Sequence, residues 1–188
     1  IYKEGYYDKD KGLIHWKVYI NEDRKDIGGY TFKDTLPQDL VGKVTITGSD
    51  GKEVGDVTVN GNEISYKFPD GSKDKYTIEY WTKAPENDGT VSNNATIGKD
   101  GDNYNSGANP DVVHRKWNLS KQYTGVETSN DKTYYKWQSV ITLPDGAMGS
   151  FTYTDTIEQA VSEAGTSTPG EDSHYAVSYT HLTLPTTP

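Results

Sequence analysis

The sequence predicts an all-β protein, built as tandem immunoglobulin-like β-sandwiches with the second one truncated. Three observations carry that expectation. Short runs of alternating apolar and polar residues recur along the 188 residues, each bounded by Gly, Asn or Asp, which is the pattern of half-buried strands joined by turns. Tyr (15) and Gly (19) are abundant, and few stretches could sustain a long helix. An aromatic–aspartate strand, Tyr30–Pro37 (YTFKDTLP), is echoed at Phe151–Ile157 (FTYTDTI), and such self-similarity marks an internal repeat.

Taken in order, Ile1–Tyr7 reads as a first strand carrying Lys3, and Asp8–Gly12 as a turn. Leu13–Asn21 follows, with Ile14, Trp16, Val18 and Ile20 on one face. A polar loop leads into YTFKDTLP, where the same parity groups Tyr30, Phe32, Asp34 and Leu36. Strands are then expected at Val44–Thr47, Val54–Val59, Ile64–Phe68, Tyr76–Lys83 and Val91–Ile97, separated by Asp-Gly and Asn-Gly turns. This regular spacing is that of an immunoglobulin-like sandwich covering residues 1–97. The turn-rich stretch 98–111 reads as a linker. Residues 112–176 read as the front part of a second sandwich, and 177–188 as a non-native tail.

The second copy is recognised by order and spacing. Trp16 precedes Asp34 by 18 residues, as Trp137 precedes Asp155, and a lysine (Lys3 or Lys121) lies upstream of each tryptophan. Both tryptophans are expected to pack in a core.

Composition excludes several functions. A net charge of −9 argues against nucleic acid or an anionic membrane as partner. The chain contains no cysteine, which removes thiol catalysis, Cys-ligated zinc and disulfides. No membrane-spanning run or lipidation motif is present. The four histidines lack zinc spacing, and the acidic clusters Asp8/Asp10/Gly12 and Asp100/Asp102/Asn103 complete no calcium loop, so no cofactor or metal is expected. Leu184–Thr187 (LPTT) lacks the glycine that a sortase signal needs. Trp81, out of phase with Tyr80, is expected to face outward as an exposed sheet aromatic or a ligand-stacking site.

A carboxylate on the apolar side of a strand is costly unless protonated or partnered. Asp34 meets that condition, and Asp155 meets it again. In Val91–Ile97, parity turns Asn93 inward and Asn94 outward, although a shift of one residue would exchange them. Lys3, Asp34 and Asn93 are therefore candidates for one buried cluster. Burial disfavours both charges, so a neutral amine can coexist with a protonated carboxyl. The amine can then attack the Asn93 side-chain carbonyl while Asp34 polarises it and moves protons. Loss of ammonia leaves a Lys–Asn amide.

The ordered segments IYKEG, IHWKVYIN, FKDTLP, YTIEYWTK and VSNNATI resemble the collagen-binding A-type domains of Gram-positive cell-wall surface adhesins, which form internal isopeptide bonds. The resemblance implies that Lys3 is the amine, Asp34 the catalytic acid and Asn93 the acceptor. It extends through SKQYTG, YYKWQSVITL and FTYTDTI, where Lys121 matches the cross-linking lysine and Asp155 the catalytic aspartate. No acceptor asparagine is identifiable there, so Asp155 is expected to be unpaired. The implied function is a structural or adhesive stalk segment of an extracellular, cell-wall-attached protein, flanked by neighbouring domains of a longer chain. Direct binding of collagen or another host-matrix protein is the alternative, and a carbohydrate-binding module a further one. Self-cross-linking happens once per chain, so no enzyme is expected.

Overall fold

A computed structural model describes residues 1–147, 150–157 and 175–183. The chain divides into two compact units, Ile1–Ala147 and Met148–Pro188. The strands of the first unit are β1 (Tyr2–Asp8), β2 (Leu13–Ile20), β3 (Thr31–Thr35), β4 (Leu40–Thr47), β5 (Thr58–Asn60), β6 (Glu63–Lys67) and β7 (Tyr76–Lys83). They continue as β8 (Gly89–Thr90), β9 (Asn93–Lys99), β10 (Asp102–Ala108), β11 (Asp111–Val112), β12 (Asn118–Ser129) and β13 (Lys132–Thr142). In the second unit, β14 (Ser150–Ile157) pairs antiparallel with β15 (Tyr175–Thr183). The fold is all-β.

Two antiparallel sheets form an immunoglobulin-like sandwich. One has the order β1-β2-β7-β4 and the other β10-β9-β3-β6-β5. Alternation decides which side chains enter between them. From the first sheet come Ile14, Trp16, Val18 and Ile20 of β2 and Tyr76, Ile78 and Tyr80 of β7; from the second come Phe32, Ile64, Ala95 and Ile97, all in one buried cluster. Each residue that enters leaves its neighbour outside, which explains the alternating burial of β2 and β7. The β1–β2 turn is closed by Gly12 N donating to Asp8 O (2.8 Å), with Gly12 at φ +67°, a conformation glycine adopts without strain. The Asp8 carboxylate accepts from the amides of Asp10 and Lys11, so this acidic cluster serves its own turn.

Three expectations change. Residues 98–111, read as a linker, contain β10, paired with β9 over its whole length, and β11, paired with β8. The stretch is apolar-poor because β10 is an edge strand whose side chains are mostly exposed. The division between units lies after Ala147 rather than in 98–111, because residues 112–147 are tied to the first sandwich. Arg115 donates to Lys9 O and Asp10 Oδ1, and Tyr7 donates to Asp145 Oδ2 at 2.7 Å. The strand expected at Val54–Val59 shrinks to Thr58–Asn60, preceded by an isolated bridge between Thr47 and Glu53.

Candidate functional site

Four strands each deliver one polar side chain to a single point inside the sandwich. Lys3 stands opposite Val18 in the β1–β2 ladder, and Gly5 stands opposite Trp16. A Cβ on Gly5 would lie 2.7 Å from two atoms of the Trp16 ring, so a residue without a side chain is what lets that ring lie against β1. The ring is anchored by Trp16 Nε1 donating to Thr82 Oγ1 at 2.9 Å. The Lys3 ammonium then sits 5.0 Å from the Trp16 centroid and 5.5 Å from that of Tyr80, within cation–π range. The Lys3 amide donates to Ser106 Oγ of β10 (2.9 Å), tying the edge strand of one sheet to the edge strand of the other.

From the facing sheet, β3 carries Asp34 opposite Ala95 of β9. Asn93 lies two residues before Ala95 and shares its inward face. Lys3, Asp34 and Asn93 are all buried, at 2 %, 2 % and 5 % exposure, while Asn94 is exposed.

The bonding converges on the Tyr80 hydroxyl. Lys3 Nζ donates to Asp34 Oδ2 and, at 2.8 Å, to Tyr80 Oη. Tyr80 Oη–H donates to Asp34 Oδ2, and Asn93 Nδ2 donates to Tyr80 Oη at 3.2 Å. One phenol thus accepts two hydrogen bonds and donates one, its full capacity. Asp34 Oδ1 is buried and, among the described residues, has no hydrogen-bond partner. Burial pulls the Lys3 ammonium below its ordinary range, against the opposing pull of Asp34. Burial, then the charge of Asp34 and the hydrogen bond to it, pushes the Tyr80 hydroxyl well above the usual phenol range and keeps it protonated.

The arrangement sets an amine held in a desolvated site beside a carboxyl group and a primary amide, with no more than two hydrogen bonds between amine and amide. Acyl transfer from the amide to the amine is the chemistry such a constellation can perform. Tyr80 was missed by sequence reasoning. Its inward parity in YTIEYWTK was legible, but an inward tyrosine reads as packing until the partners of its hydroxyl are known.

The second copy differs. Lys121 is exposed on β12, its ammonium 5.0 Å from the Trp137 centroid. Trp137, expected in a core, is 51 % exposed, because no described strand packs over that face of the β12–β13 hairpin. Asp155, expected to be unpaired, accepts a hydrogen bond from Tyr153 at 3.0 Å, its neighbour two residues along the same strand face. Trp81 is half-buried, stacked on His15 at 4.3 Å with the Lys11 ammonium 4.2 Å from its centroid. Among the described residues no group of acidic and histidine side chains is placed to hold a metal.

No protein-family model matches the sequence, and no curated protein matches it. Among solved structures, the collagen-binding subdomain ACE19 of the Enterococcus faecalis surface protein ACE aligns at 14 % identity and a TM-score of 0.45, over 58 % of this chain and 94 % of its own. A longer structure of the Enterococcus faecalis MSCRAMM ACE, which binds its ligands by the collagen hug model, aligns at 15 % identity and a TM-score of 0.48, over 59 % of this chain and 49 % of its own. The N-terminal domain of PorA aligns at 12 % and 0.31, over 57 % of this chain and 84 % of its own. Similarity at this level carries no functional argument.

Proposed function

We propose that this chain is a structural and adhesive stalk segment of a bacterial cell-surface adhesin, and that its first sandwich locks itself with an amide between Lys3 and Asn93. The observation that supports this reading is the convergence of a buried amine, carboxyl and amide on Tyr80. An ion pair sealed from water is costly, and passing a proton from Lys3 to Asp34 cancels both charges. The freed Nζ lone pair attacks Cγ of Asn93, the Cγ–Nδ2 bond breaks, and Nδ2 leaves as ammonia. Of the protons involved, one stays on the new amide, three leave on ammonia, and one remains on Asp34. The reaction consumes the protein's own side chains once, so it is self-processing rather than enzyme turnover.

The bond would join β1, an edge strand of one sheet, to β9 of the other. A closed loop of this size is worth about 4–5 kcal/mol by the chain-entropy argument. Tension entering through the first strand would meet a covalent bond instead of a hydrogen-bonded ladder. That is a route to a stiff, protease-resistant stalk in a chain without cysteine. Among the described residues no helix is long and apolar enough to cross a membrane, and a cell-wall location is part of the proposal.

Intact-mass measurement tests it. The folded chain should be lighter than its sequence by about 17 Da, one ammonia, and Lys3→Ala, Asp34→Ala and Asn93→Ala should each restore the full mass. A folded wild-type chain at full mass would falsify the cross-link. Saturable binding to immobilised collagen, abolished by changes at exposed residues, would move the assignment from stalk to direct matrix binding.

A further inference from the structure

We propose that Tyr80 is the proton relay to the leaving group of this cross-linking reaction, a role that rests on the function proposed above. The amide anion is too basic to leave, so the departing nitrogen must gain a proton as its bond to carbon breaks and depart as ammonia. In the resting arrangement Asn93 Nδ2 is hydrogen-bonded to Tyr80 Oη at 3.2 Å, whereas no direct hydrogen bond links Asn93 to Asp34 among the described residues. Tyr80 Oη is in turn bonded to Asp34 Oδ2 and lies 2.8 Å from Lys3 Nζ. The phenol therefore stands between the group that collects the lysine proton and the nitrogen that must receive one.

The path is short and balanced. Lys3 gives a proton to Asp34, and its lone pair forms the Nζ–Cγ bond, pushing the carbonyl electrons onto oxygen. Nδ2 then ceases to be a planar amide and gains a basic lone pair. Asp34 hands its proton to Tyr80 Oη while the phenol O–H, turned about its C–O bond, gives its own proton to Nδ2. The C–N bond breaks, ammonia departs, and Asp34 takes up the surplus proton from Nζ. Tyr80 ends as it began. A phenol held neutral by its burial suits this role, since it accepts and donates in one motion and never carries a charge.

The test follows cross-linking from the moment of synthesis. The full chain is made in a cell-free system, sampled over time and weighed intact, in three forms: wild type, Tyr80→Phe, and a chain with 3-fluorotyrosine at position 80, a more acidic phenol of nearly the same shape. Wild type should lose about 17 Da. Tyr80→Phe should do so about 100-fold more slowly, the scale of one general acid–base contact. The fluorinated chain should show an altered rate and an altered solvent deuterium isotope effect, since the relay moves the phenol proton without ionising it. Wild type that never loses mass removes the underlying cross-link, and the relay with it. Wild type and Tyr80→Phe losing mass at equal rates overturns the relay and leaves the cross-link standing. A slow Tyr80→Phe beside a fluorinated chain identical to wild type in rate and isotope effect also overturns the relay, since the phenol then only fills space. Where Tyr80→Phe does not fold, as read by circular dichroism, the fluorinated chain decides alone.

Discussion

In the β1–β2 hairpin Lys3 pairs with Val18, and Trp16 lies two residues back along the partner strand. In the β12–β13 hairpin Lys121 pairs with Ser139, and Trp137 again lies two residues back. Both ammonium groups stand 5.0 Å from their tryptophan centroid. The environments are nevertheless opposite: Trp16 is fully buried and Trp137 is 51 % exposed. Strand register alone brings the lysine and tryptophan together. Desolvation of the pair requires a second sheet over it, and with that sheet come Asp34 and Asn93. The residue facing the tryptophan differs too. Gly5 leaves room for the Trp16 ring against β1, whereas Tyr123 faces Trp137 and meets it edge-on at 5.5 Å.

The largest expected contrast is between the lysines. Lys3→Met should abolish the mass loss and lower unfolding free energy by about 4–5 kcal/mol, the loop-closure contribution of the proposed bond. Lys121→Met should leave the mass unchanged and stability within about 0.5 kcal/mol. Denaturant titration of both variants checks this, and equal effects would erase the distinction between the hairpins. Next come the tryptophans: Trp16→Ala should cost about 3–5 kcal/mol as a buried cavity, and Trp137→Ala, already half in water, less than about 1 kcal/mol. Smaller again is Gly5→Ala, whose methyl meets the Trp16 ring and should destabilise by about 1–3 kcal/mol by overpacking. If Gly5→Ala unfolds at the wild-type midpoint, the ring has room to spare and the glycine is not what seats it.

The smallest effect concerns how the second hairpin is fastened. Asp145 lies just beyond β13. It accepts from Tyr7 Oη and from Arg115 N and Nε (3.0 and 3.1 Å), and it sits 3.0 Å from His114 Nδ1. Burial alone would raise its carboxyl, but these hydrogen bonds outweigh it and hold the group below the usual carboxylate range. A depressed folded-state value stabilises above the unfolded value, about 3.9, and that stabilisation fades as pH falls through the folded one. Protection of the Arg115 amide, its exchange rate relative to that of an unstructured chain at the same pH, should therefore be constant from neutrality down to about pH 4 and fall below it. Asp145→Asn should remove the acid-dependent part. An unchanged acid response in that variant would locate the titration elsewhere.

How much of this could be read from sequence follows from periodicity. Alternation in YTFKDTLP and VSNNATI assigns Asp34 and Asn93 to faces, because a strand has two sides and the apolar residues name the inner one. The same reasoning passes over β10, since DNYNSGA is an edge strand with no buried face to generate a pattern. It also passes over Tyr80, whose hydroxyl partners lie 77, 46 and 13 residues away in sequence, separations that no local pattern encodes. The exposure of Trp137 was equally hidden. Its own strand looks like that of Trp16, and burial depends on what covers the strand.

Tyr80 on β7 and the three groups around its hydroxyl, from β1, β3 and β9, belong to two different sheets. Lys3 and Asn93, the two groups that must react, lie on different sheets, so neither a hairpin nor one finished sheet brings them together. The proposed amide therefore closes last, after both layers have met, and a chain that pairs its strands wrongly is never sealed. The covalent bond would record that folding was completed: sealed molecules persist, and unsealed ones remain open to proteolysis.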